Sequence, residues 1–127
     1  MEGVSVRDEA RELNGEMVSW RRHIHLHPEV GFDVGDTAAF VVERLKEARA
    51  EEVRAGVGKS GVTAMIRGAR PGRTLALRAD MDALPVTEET GLPFASAHPG
   101  RMHACGHDAH TAMLLGAAVL LGRHRED

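Results

Sequence analysis

The segment Thr74–Pro85, "TLALRADMDALP", decides how the chain is read. Its first seven residues alternate, so that on a strand Leu75 and Leu77 face one way and Ala76, Arg78 and Asp80 the other. This is the best strand pattern in the sequence. At its end Asp80 and Asp82 share the i, i+2 spacing that puts two carboxylates on one side. Two readings of the pair are open. Carboxylates at a strand end can bind a metal or hold a metal ligand in place. Alternatively, Asp82 caps a turn before Ala83-Leu84-Pro85.

Working upstream, "ARPGR" (69–73) is a turn by composition. "GVTAMIRG" (61–68) and "EEVRAG" (51–56) precede it, the former reading as a strand. Before them, "TAAFVVERLKEARA" (37–50) predicts a helix with Asp36 as its N-cap. Between Ser5 and His27, Val6, Ala10, Leu13, Met17, Trp20 and Ile24 recur every three or four positions, predicting an amphipathic helix. Asn14-Gly15 weakens that helix and Pro28 ends it. Downstream, residues 80–101 have Pro and Gly punctuation and little periodicity, as in a functional loop. A helix from Asp108 to Arg123 comes next, apolar nearly all round and so expected to be a core helix. The order helix, helix, strand, strand, strand, loop, helix suits the beginning of an α/β sheet with its chemistry at strand ends.

The chain's 127 residues suffice for one domain with a core. The 16 basic residues are dispersed, the net charge is −3 and aromatics are 3%, which disfavours a nucleic-acid partner. The apolar run 112–121 is too short to span a bilayer. The first seventeen residues are acidic and polar rather than signal-like. One cysteine forms no internal disulfide and suits a reducing compartment. A soluble, cytoplasmic protein without a membrane partner is the expectation.

That cysteine lies in "RMHACGHDAH" (101–110), with three histidines and an aspartate. On extended backbone Cys105 and His107 point the same way, so a thiolate and an imidazole could share one ion, with Gly106 leaving room for it. Cys with His favours Zn²⁺ or a similar transition ion. His110 lies one helical turn beyond His107. The spacing equally fits a buried cysteine beside a helix-capping histidine, and a thiol nucleophile beside an imidazole is a further reading. His23 and His27 are four apart on the first helix, where a dipole-favoured helix end is the simpler account. Glu88 and Glu89 read as solvated loop residues.

Four segments taken together, "RRHIHLHPEVGF", "GKSGVTAMIRG", "LALRADMDALPVTEETGLPFAS" and "HPGRMHACGHDAHTAMLLGAA", resemble the amidohydrolase branch of the M20 metallopeptidase family. That branch includes hippurate hydrolases, N-acyl-amino-acid aminoacylases, auxin-conjugate hydrolases and N-acetyldiaminopimelate deacetylases. The resemblance implies a fold, the N-terminal part of a zinc-peptidase-like catalytic domain, with helices packed on a mixed sheet. Residues 1–127 would be that part, and the inserted dimerisation domain and C-terminal catalytic part would be absent. It implies Cys105 and His107 as metal ligands. Asp82 matches the aspartate beside the metal centre that orients a ligand and supports catalysis. Asp80 falls where other branches carry a metal-binding histidine, and Asp108 and His110 would lie just behind the ligands. Two divalent ions (Zn, Mn, Ni or Co) per intact site are implied. So are a small N-acyl amino acid substrate, a general-base glutamate outside this chain, and homo-oligomerisation through the absent domain. The expected reaction of the intact parent is hydrolysis of the amide bond of N-acyl amino acids or related small peptides. The chain alone is expected to be inactive, and the alternative is a non-catalytic remnant or metal-binding fragment.

Overall fold

A computed structural model describes residues 3–127. Helix α1 (Val6–Glu12) begins at Ser5, whose hydroxyl accepts the Asp8 N–H. Asp8 and Glu9 then face the positive end of the helix dipole. The expected single helix is broken at buried Leu13, and α2 (Asn14–Leu26) continues from there to Pro28. The break comes one residue before Asn14-Gly15, the weakest helix formers in the run.

Helix α3 (Gly35–Glu47) does not use Asp36 as its cap; Val34 holds that position and offers no side-chain acceptor. Glu29 supplies the acceptor from outside the helix. Its carboxylate accepts from the Thr37 N–H and hydroxyl, both at 2.6 Å, and from the Asp36 N–H at 3.2 Å. The N-terminal N–H groups that a helix cannot satisfy itself therefore meet a negative charge.

Strands β1 (Glu51–Val57) and β2 (Gly61–Met65) form an antiparallel hairpin, with register shifts between Glu51, Arg54 and Val57. Among the described residues the sheet consists of this one antiparallel pair. "TLALRAD" is not a strand here. Leu75 is 80% and Leu77 52% exposed, and among the described residues none pairs with this segment. Alternation gives a strand its faces, but a ladder needs a neighbour to hydrogen-bond. Two isolated bridges anchor the long loop beyond it: Val30 with Ala83, and Leu84 with Met102.

Helix α4 (His107–Arg123) packs on the three others. Asp108, Thr111, Ala112, Leu115, Gly116 and Ala118 are buried, a stripe of helical period. Met113 and Leu121 are exposed, so the helix is covered on one face and not all round.

Candidate metal centre

The loop and the start of α4 bring Asp80, Asp82 and His107 together. The segment from Cys105 to His107 is not extended as expected. Gly106 is left-handed (φ 100°), a turn that a side chain would strain, and it feeds directly into α4. Cys105 is thereby left exposed before the helix, and His107 becomes its first residue.

His107 lies among the two loop aspartates. Its Nδ1 is 2.9 Å from the Asp82 carbonyl oxygen and 3.0 Å from Asp82 Oδ1. Both are acceptors, so Nδ1 carries the hydrogen, and in the neutral ring the lone pair is on Nε2. Asp80 Oδ2 lies 3.8 Å from Nε2, beyond hydrogen-bond range. Arg78, bonded to Asp80 at 2.8 and 3.1 Å, holds that carboxyl below its usual range. The Asp80 carbonyl accepts from Thr111 Oγ1, pinning the loop to α4. His110 is exposed, its ring centroid 6.2 Å from that of His107.

Beneath these residues lies a buried polar network that sequence reasoning missed. His25, 2% exposed on α2, sits between two carboxylates: Asp108 Oδ2 is 2.7 Å from Nδ1 and Glu88 Oε1 is 2.7 Å from Nε2. Arg21 Nε donates to the same Asp108 oxygen at 2.7 Å. Asp108 is thus fully buried against α2. Glu88, expected in solvent, is turned inward, because its carboxylate also accepts the Ser96 N–H and the Thr90 hydroxyl. Burial pushes both carboxyls up. For Glu88 the bonds from Thr90, Ser96 and His25 outweigh it, and for Asp108 those from His25, the Ala109 N–H and nearby Arg21, so both end below their ordinary range. The available signal was the i, i+4 pair Arg21 and His25 beside the apolar stripe through Ile24.

His103 is also buried, which pushes its ring toward the neutral form. Both its nitrogens and Asp108 Oδ1 lack a hydrogen-bond partner among the described residues. The His23 ring stacks on Phe40 at 4.4 Å and lies 5.1 Å from the His27 ring.

The chemistry of the donors fits a transition ion. Cys105 offers an exposed thiol. His107 offers an imidazole with its outward nitrogen free and its other nitrogen oriented by a carboxylate, the arrangement of histidine ligands generally. The donors are few, since among the described residues no group of three or more His, Cys, Asp or Glu side chains is placed to hold an ion.

Residues 76–127 match the sequence model of peptidase family M20/M25/M40. The chain is 49% identical over 116 residues to an N-acyl-L-amino acid amidohydrolase of Geobacillus stearothermophilus, covering 91% of this chain and 31% of that protein. It is 47% identical to thermostable carboxypeptidase 1 of Saccharolobus solfataricus (95% and 31%). Its fold is similar to the crystal structure of the Bacillus subtilis YXEP protein, a dinuclear metal-binding M20 peptidase. There the TM-score is 0.86 at 43% identity, with 91% of this chain and 32% of that one covered. Over nine tenths of its length the chain is thus similar to members of the M20 peptidase family. It spans about a third of the length of the relatives it matches.

Proposed function

We propose that the chain contributes part of the metal site of an M20 amidohydrolase that cleaves the amide bond of N-acyl amino acids or related small peptides, yielding a carboxylic acid and an amino acid. The observation that carries this is the His107 contact with Asp82, which leaves Nε2 free two residues from an exposed thiol. Cys105 and His107 would hold the ion, as Zn²⁺, Mn²⁺, Ni²⁺ or Co²⁺, and by family likeness an intact site would take two. Bound there, a divalent ion supplies Lewis acidity and a water far more acidic than bulk. Asp82 holds the His107 ring and fixes which nitrogen faces outward. Asp80, tied to Arg78, adds negative charge on that outward side. The proton-accepting glutamate of the family is assigned to none of these residues. We expect homo-oligomerisation to involve parts outside residues 1–127. Among the described residues no helix is long and apolar enough to cross a membrane. A thiol that ligates must stay reduced, which favours a cytoplasmic site of action.

The test is hydrolysis of N-acetyl and N-benzoyl amino acids, with each metal supplied, by a protein containing this chain. Cys105→Ala should remove activity and one metal ligand together, because a metal-bound thiolate has no substitute in alanine. Normal turnover with normal metal content in that variant would favour a packing role for Cys105. The relative named as a carboxypeptidase makes short peptides the second substrate class for the same assay.

A further inference from the structure

His25 has no place in the ligand set, yet it is among the most buried polar residues. Arg21, His25 and Glu88 gather with Asp108 of α4 into a cluster of four ionisable groups, of which His25, Glu88 and Asp108 have buried side chains. Burying such groups costs desolvation, and apolar residues of similar volume are often at least as stable there. The arrangement does supply fixed orientation. Asp108 is the sequence neighbour of His107, and its side chain is gripped from α2 by His25 and Arg21. Glu88 lies six residues beyond Asp82, on a loop that has little regular structure. That loop is otherwise tied by the two isolated bridges, by the Ala97 N–H to the Leu26 carbonyl, and at its start by the Thr111 hydroxyl to the Asp80 carbonyl. One imidazole, carried on a helix, therefore joins the segment carrying His107 to the segment carrying Asp82.

We propose that His25 is a positioning residue for the metal centre, acting through Asp108 and Glu88 to hold the His107–Asp82 contact in register. The proposal rests on the metal-site reading for its purpose, but the contact itself can be read without metal.

The experiment uses the chain with ¹⁵N-labelled histidine. Long-range ¹H–¹⁵N spectra report which nitrogen of His107 carries the hydrogen. His25→Asn keeps a donor near the Nδ1 position, and so the Asp108 contact; His25→Gln keeps one near Nε2, and so the Glu88 contact. The parent should show one His107 tautomer, Nδ1–H. Each variant should show a mixture, with Co²⁺ affinity lowered about tenfold, the usual scale for losing support behind a ligand. A merely destabilising change elsewhere, Val41→Ala in α3, should lower the melting temperature without moving the tautomer. An unchanged Nδ1–H tautomer in folded His25→Asn and His25→Gln chains overturns the proposal, whatever the Co²⁺ affinity. Should both fail to fold, Glu88→Gln, which keeps an oxygen acceptor, takes their place; unfolding of all three also overturns it, because His25 then serves the fold. Cys105→Ala and His107→Ala are the separate control on the metal reading. If they leave Co²⁺ binding untouched that reading fails, and the tautomer alone decides the role of His25.

Discussion

The Asp82 backbone carbonyl and carboxylate both accept from the single Nδ1–H of His107, at 2.9 and 3.0 Å. One residue thus holds the ring twice, and the two contacts are separable by mutation. Asp82→Ala removes the carboxylate and leaves the carbonyl. Metal affinity should fall about tenfold, the low end for losing a ligand's supporting partner. Asp82→Asn, which keeps a neutral oxygen, should lose less. Calorimetric titration with Zn²⁺ orders the three proteins, and equal affinities would remove Asp82 from the site.

A Cβ on Gly116 would run into Met17 Sδ, so α2 and α4 meet where one has no side chain. The obstructing atom belongs to a flexible side chain. Gly116→Ala should therefore cost little beyond a shifted methionine, while Gly116→Leu should cost about 1–3 kcal/mol by overpacking. Met17→Ala should recover part of that loss in the double variant, because the two sites share one space. Chemical denaturation of the four proteins tests the coupling, and additive losses would show that α2 and α4 do not meet there.

Glu29 caps α3 across a turn, from a position no local capping rule would search. Glu29→Ala should destabilise the chain by about 1 kcal/mol, the usual cost of losing a helix cap. Glu29→Gln should fall between, since it keeps an acceptor but loses the charge at the dipole. Asp36→Ala, by contrast, should be nearly silent. A larger loss from Asp36→Ala than from Glu29→Ala, in thermal melts, would reverse the assignment.

These contrasts show what the sequence could and could not disclose. Helix positions were legible because apolar spacing is local: α3 and α4 run within a few residues of their expected bounds. The convergence of Asp80, Asp82 and His107 came from motifs whose order is itself informative. Pairing was not legible. "TLALRAD" has the alternation of a strand, but alternation is silent on whether a neighbour exists. Glu88 and His25 stand 63 residues apart, and the contact that buries both leaves no trace in the spacing of either. Reading Glu88 as solvated came from its loop composition, and the backbone N–H of Ser96 overrode it.

The junction of α1 with the end of α4 carries a pH dependence of definite sign. His124 hydrogen-bonds Asp127 and Glu9, and these two carboxylates hold its ring above the ordinary histidine range. A native value raised above the unfolded value of about 6.5 means that the folded chain binds the proton more tightly. The contribution is complete below that unfolded value and fades as pH rises through the raised native one. Glu9 lies on α1, and Leu13, at the end of that helix, is buried. Loosening should therefore appear first as faster amide exchange in α1, with α2 and α3 unchanged. We expect α1 protection to fall as pH rises above about 6.5, beyond the intrinsic rise in exchange rate. His124→Gln, which carries no titrating charge, should exchange at the faster level throughout and lose the excess pH dependence. Glu9→Gln should reduce it in part, because Asp127 still faces the ring. Protection in α1 that increases with pH in the parent would give the His124 contacts the opposite sign.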